Sequence, residues 1–210
     1  MGLKTFYEEA ILSRLIRCAC ADPKIMGLRA ELVPLAEGSV FELGVGGGLN
    51  QPFYDPQRVT HFAGIDPGAN LLDSAKSAAR EKGWEGDIRP GWGECIPFAD
   101  GSFDTVVSTF TICSVDDQRQ VLAEMRRILR PGGRFLYLEH GQAPDASPAR
   151  WQRIIEPAWK RVMGNCHLTR PVSSAIAEAG FATQPAGQRY LDKMPRWVGW
   201  MEWGVGIKQG

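Results

Sequence analysis

The sequence predicts an open α/β fold, a mostly parallel sheet covered by helices on both faces. Two observations predict it. Short β-like runs alternate with helical runs through the middle of the chain, and the first strand ends in a cluster of glycines. A third observation completes the sheet: two β-like stretches follow the last helix, which an antiparallel C-terminal hairpin accommodates most simply. At 210 residues one domain is enough to bury a sizeable core, and there are no repeats or low-complexity segments.

The elements follow in order. Leu12, Leu15, Ile16 and Ala19 fall at helical spacing within an N-terminal stretch that Arg14 and Arg17 interrupt. That stretch reads either as a helix packed on the domain or as one that caps a site or rests on a membrane surface. It is not a signal peptide, because no long apolar run follows. Val40 to Leu43 is a short apolar strand, and His61 to Ile65 is a second, closed by Asp66-Pro67-Gly68. A helix from Ala69 to Lys82 carries Leu71, Leu72, Ala75, Ala78 and Ala79 on its inner face, and a weaker strand lies near Ile88. Asp100-Gly101-Ser102 is a turn before a strong strand, Phe103 to Phe110.

Asp117 to Leu129 is a helix striped by Val121, Leu122, Met125, Ile128 and Leu129, stopped by Pro131-Gly132-Gly133. Phe135 to Leu138 is a buried strand. Gln142 to Pro148 reads as a proline-rich loop, Trp151 to Met163 as a helix, and Pro171 to Ala179 as another that ends at Gly180. The stretches near Phe181 to Tyr190 and Trp197 to Ile207 supply the terminal hairpin.

Composition excludes several function classes. Lys plus Arg equals Asp plus Glu, 24 each, so no overall field recruits nucleic acid or an anionic membrane. Five cysteines (Cys18, Cys20, Cys95, Cys113 and Cys166) make an odd set without regular spacing, which speaks for a reducing, cytoplasmic location over a disulfide framework. There is no Cys-x-x-Cys pair, and His61, His140 and His167 lie far apart, so no zinc signature is present and no metal is expected.

The glycine cluster is Glu42-Leu43-Gly44-Val45-Gly46-Gly47-Gly48. Glycines at a strand end let backbone come close to a ligand, at the sheet edge where nucleotide-like ligands bind. The dinucleotide pattern would need glycine where Leu49 stands, and the Gly-Lys-Ser/Thr of a phosphate loop is absent. An acidic lead-in, Glu42, suits a cofactor that carries a cationic amino acid and no phosphate. Asp66 stands at the end of the next strand. Its two carboxylate oxygens match the two hydroxyls of an adenosine ribose, or they cap the following helix.

With two further stretches the chain resembles the class I S-adenosylmethionine-dependent methyltransferases. Leu129-Arg130-Pro131-Gly132-Gly133-Arg134-Phe135 is similar to the loop before their fifth strand. Ile96-Pro97-Phe98-Ala99-Asp100-Gly101-Ser102-Phe103-Asp104 is similar to the stretch before their fourth. Thr109 to Val115, Glu139-His140, Trp151, Glu156-Pro157-x-Trp159-Lys160 and Cys166-His167-Leu168-Thr169-Arg170 further resemble the methyltransferase-like seven group of small-thiol S-methyltransferases. The resemblance implies a Rossmann-like seven-stranded sheet, S-adenosylmethionine as cofactor and a small-molecule acceptor. It implies a helical cap over 1–38 and an acceptor-side lid over 141–172. Where the family often has Asp-Ala-Glu, this chain has Trp92-Gly93-Glu94. Trp92 either walls off the adenine or packs elsewhere. The animal members carry an N-terminal hydrophobic membrane anchor, and a comparable one is not expected from this sequence.

The expected cofactor contacts are therefore Glu42, Gly44, Gly46, Gly48, Asp66, Pro67, Trp92, Gly93, Glu94 and Thr109. A thiol acceptor must react as thiolate, with a free pKa of about 8.5, so a base would help. His140 is the first candidate and His167 the second; each has a structural role as its alternative. Cys113, Trp151 and Trp159 are candidate acceptor-pocket residues, with Trp197 beside them, although buried cysteines and tryptophans also serve as core. N-methylation of a lipid or small amine, and a non-catalytic cofactor-binding domain, are the competing readings.

Overall fold

A computed structural model describes residues 18–84 and 86–210. The N-terminal positions Leu12, Leu15 and Ile16 lie outside the described residues. The first described long helix, α1 (Pro23–Leu32), begins where Asp22 accepts a hydrogen bond from the Lys24 amide and Pro23 presets the helical φ. It is followed by β1 (Gly38–Leu43), β2 (Val59–Asp66), α2 (Ala69–Glu81), β3 (Asp87–Pro90), β4 (Phe103–Thr109), α3 (Gln118–Ile128) and β5 (Leu129–His140). Then come α4 (Ala146–Val162), α5 (Val172–Glu178), β6 (Phe181–Tyr190) and β7 (Trp200–Lys208).

The seven strands form one sheet in the order β3-β2-β1-β4-β5-β7-β6. β1 pairs in parallel with β2 on one side and with β4 on the other, so strand order reverses between β1 and β4. β7 runs antiparallel to both β5 and β6, which makes β6 and β7 the expected hairpin. Alternate residues of each strand serve two cores. Val40, Phe62, Val107 and Leu136 face α1 and α2, joined by Leu28, Leu72 and Ala75. Phe41, Ala63, Val106 and Phe135 face α3 and α5, joined by Leu122, Met125 and Ile176. Helices on both faces bury these strands from both sides, hence their near-continuous apolar runs.

Two boundaries differ from the sequence reading. β5 starts at Leu129 and not after the Pro131-Gly132-Gly133 turn, because Leu129 already pairs with Phe103 and the ladder resumes at Thr105–Arg134 after an irregularity. α4 starts at Ala146 within the stretch read as loop. Pro148 lies in its first turn, where a missing amide costs nothing. Its inward face is set by Pro148, Ala149 and Gln152.

Candidate active site

The carboxyl ends of β1 to β4 open onto a cavity of about 250 Å³. Leu43 and Gly44 line it from β1, Ile65 and Pro67 from β2, and Gly91 to Glu94 from the loop after β3. Its far side is made by Thr111 and Ser114 to Asp116, after β4, and by Gly164 and Asn165, after α4. The cavity thus sits at the switch point between β1 and β4 and reaches toward the 141–172 segment.

The glycine loop is held close to the sheet. Gly44 has φ 69°, and a Cβ there would stand 2.1 Å from Thr111 Oγ1, so no side chain fits. The Gly46 amide donates to Asp66 Oδ2 at 2.9 Å, and the Gly68 amide donates to Asp66 Oδ1 at 2.8 Å. Asp66 thereby ties the glycine loop to the turn that leads into α2. Each of its oxygens still has a lone pair for a further donor. Burial pushes its carboxyl up, against the pull of the Gly68 and Gly46 amides. Two hydroxyls of a ribose fit that remaining capacity.

Trp92, Gly93 and Glu94 line the cavity. Trp92 is 65% exposed, so it is not core. The Glu94 carboxylate accepts from the Asp116 and Asp117 amides at 3.0 and 3.1 Å, at the start of α3. That side chain fastens the 92–94 loop to the 114–117 loop.

Glu42 and Thr109 lie beneath the cavity and do not line it. Both Glu42 oxygens are taken, by Asn50 Nδ2 at 3.0 Å and the Tyr54 hydroxyl at 2.7 Å. Thr109 Oγ1 accepts from Arg29 Nη1 and from Asn50 Nδ2. Arg29 also donates to Asn50, and all of these groups are buried. Burial pushes the Glu42 carboxyl up to about 7 and draws the Arg29 guanidinium down, with each charge partly restoring the other. The acidic lead-in of the glycine loop is thus a buried polar post under it. Arg29, Asn50 and Tyr54 were not expected in this role, because their partners are remote in sequence.

Glu139, which sequence reading did not single out for a role, shapes the far wall. Wholly buried, its Oε1 accepts from the Thr111 and Ile112 amides at 2.9 and 3.0 Å and from the Ser108 hydroxyl at 3.0 Å. Arg170 clamps the same loop from the other side, donating to the Ile112 and Val115 carbonyls at 2.6 and 2.7 Å. Asn165 donates to the Ser114 carbonyl at 3.0 Å. The residues after α4 are thereby laced to those after β4.

The remaining expected residues fall in three places. Trp151 is 54% exposed on α4, outside the cavity, because Gln152 is the residue that turns inward. Gln152 accepts from the Ala143 amide at 2.9 Å and donates to the Gly141 carbonyl at 3.0 Å. Trp159 packs edge-on against Trp197 and donates its indole N–H to Cys166 Sγ at 3.1 Å. Cys113 and His140 are buried, and His140 Nε2 stands 2.7 Å from Cys166 Sγ. His167 Nδ1 faces Glu156 at 3.6 Å, and burial lowers its pKa. Neither histidine lines the cavity, so the base expected of them has no contact with it in this structure. No helix among the described residues is long and apolar enough to cross a membrane.

A doubly wound sheet of this strand order, with a glycine loop after β1 and a spare carboxylate at the end of β2, defines the class I S-adenosylmethionine-dependent methyltransferases. The family described as "Methyltransferase domain" matches residues 41–137. The chain is 37% identical over 174 residues to thiol S-methyltransferase TMT1B of Rattus norvegicus, covering 78% of this chain and 70% of that protein. It is 36% identical over 154 residues to human thiol S-methyltransferase TMT1A, covering 71% and 62%. Among solved structures, the YcgJ protein of Bacillus subtilis superposes with a TM-score of 0.70 at 18% identity, covering 88% of this chain and 98% of that one, a likeness of fold. The chain belongs to the S-adenosylmethionine-dependent methyltransferase family that contains TMT1A and TMT1B, and it is an enzyme of that class.

Proposed function

We propose that the chain methylates the sulfur of a small thiol. One observation carries this reading: a single cavity joins Gly44 and Pro67, on the cofactor side, to the Thr111–Asp116 and Gly164–Asn165 walls. The likeness to the thiol S-methyltransferases spans 78% of the chain and supports a thiol as the acceptor that these walls would hold. Asp66 holds the ribose hydroxyls, Gly44 and Gly46 let backbone approach the cofactor, and Trp92 with Gly93 walls the adenine. S-adenosylmethionine, when bound, supplies an electrophilic methyl on a sulfonium.

The protein's contribution is placement. Holding acceptor and donor in line at near-attack distance removes most of the entropic part of the barrier, and a closed wall keeps water from the sulfonium. Glu139, Arg170 and Asn165 serve this by fixing the far wall. The five cysteines are all free thiols, which supports a reducing compartment such as the cytoplasm.

The test is calorimetric titration with S-adenosylmethionine and S-adenosylhomocysteine, then turnover on matched panels of small thiols and amines. Binding with thiol turnover is expected. Turnover confined to amines would overturn the thiol assignment and leave the cofactor site intact.

A further inference from the structure

Cys113, His140 and Cys166 come from three separate segments: the loop after β4, the end of β5 and the loop after α4. Their two Sγ atoms and a ring nitrogen all lie within 4.8 Å of one another, and all three residues are buried. Nothing in the cofactor site needs this meeting, and none of the three lines the cavity. We propose that they bind a single zinc-class metal ion, with two thiolates and one neutral imidazole as ligands.

The donor set fits such an ion. Two soft sulfurs and one imidazole select a tetrahedral thiophilic divalent metal, with about 2.3 Å to sulfur and about 2.0–2.1 Å to nitrogen. Those lengths put the ligand atoms about 3.6–3.8 Å apart in a tetrahedron, inside the observed limit. The His140 Nε2–Cys166 Sγ pair, at 2.7 Å, opens by about 1 Å to admit the ion. On binding, each thiol gives its proton to solvent. The resulting unit, a dication with two thiolates and a neutral ring, carries no net charge, which is what burial demands.

The surroundings position the ligands. The Trp159 indole N–H points at Cys166 Sγ at 3.1 Å and would stabilise the thiolate. The His167 amide donates to the Cys113 carbonyl at 2.8 Å, joining the two cysteine loops directly. Glu139 holds the Ile112 amide at 3.0 Å just before Cys113. A disulfide between the cysteines would use both sulfurs and leave His140 Nε2 facing neither a donor nor a metal. Three protein ligands leave a fourth position for water, the pattern of an open zinc site. The ion would tie the 164–170 segment to the sheet edge beside the cavity wall, independently of which acceptor the enzyme uses.

The experiment strips the reduced full-length protein with a chelator, then titrates it with Zn²⁺ against a chromophoric competitor and with Co²⁺ by absorption. One ion per chain is expected, with near-ultraviolet thiolate-to-cobalt charge transfer. Cys113→Ser and Cys166→Ser should each weaken binding about ten-fold or more, while Cys95→Ser, an exposed thiol elsewhere, retains it. Wild-type protein that takes up no Zn²⁺ and shows no charge-transfer band overturns the proposal, whether or not the variants fold. Equal loss in Cys95→Ser and Cys166→Ser overturns it as well.

Discussion

At Gly44 a methyl group would meet Thr111 Oγ1 at 2.1 Å in a backbone conformation, φ 69°, that side chains resist. Gly44→Ala should therefore cost about 1–3 kcal/mol from strain alone, with the loop displaced into the cavity. Urea unfolding would show the loss and cofactor titration a weakened affinity; unchanged values in both would mean the loop is free to move. Asp66 is a different case, since its carboxylate keeps spare lone pairs after accepting two amides. Each hydrogen bond to a charged group contributes about 1.5–3 kcal/mol, so Asp66→Ala should weaken S-adenosylhomocysteine binding about 10- to 100-fold. Retained affinity would remove the ribose assignment. Both residues were legible in the sequence because their chemistry is local: a glycine run at a strand end, an acid at the next. Arg29, Glu139 and the Cys113–His140–Cys166 meeting were not, because each acquires its meaning from a partner brought near only by the sheet.

Among the elements, the loop from Thr111 to Asp116 depends most on remote support. Glu139 at the end of β5 accepts from the Thr111, Ile112 and Cys113 amides and the Ser108 hydroxyl, and Arg170 donates to the Ile112 and Val115 carbonyls. Glu139→Ala would leave three amides and the Ser108 hydroxyl without their acceptor, a loss of about 3 kcal/mol or more. It should also raise KM for the acceptor, since Thr111 and Ser114 line the cavity. Chemical denaturation and steady-state kinetics check both parts; a variant as stable as wild type would show that water replaces the carboxylate. The strands and helices themselves were legible from periodicity, as Val121, Leu122, Met125 and Ile128 on α3 illustrate. The start of α4 was not, because Pro148 looks like a breaker and is tolerated in a first turn. Trp151 misled for a related reason. Helical spacing marks a face, but Gln152, with two buried backbone partners, decides which face turns inward.

For the molecule as a whole, the buried post under the glycine loop sets a pH dependence. Glu42 titrates at 4.5 when exposed and at about 7 in the fold, mainly through burial. A raised folded pKa means the native state holds a proton that the unfolded chain has already released. Its contribution to stability is complete below about pH 4.5 and is lost as pH rises through about 7. At 1.36 kcal/mol per unit the full swing is about 3 kcal/mol, a sizeable share of a domain's net stability. Asp66, also raised by burial, acts in the same direction. Glu37 and Glu124, held below the usual range by arginines, act in the opposite one and gain stability as pH rises above it. Wild-type stability against pH mixes these signs, so the difference between wild type and Glu42→Gln isolates the one that matters. Glutamine keeps an oxygen for Tyr54 or Asn50 and cannot ionise. The difference should grow in favour of the variant between about pH 5 and 8, read as urea midpoints across that range. Parallel profiles would mean that the Arg29 charge, through Asn50, keeps Glu42 ionised in the fold at every pH tested.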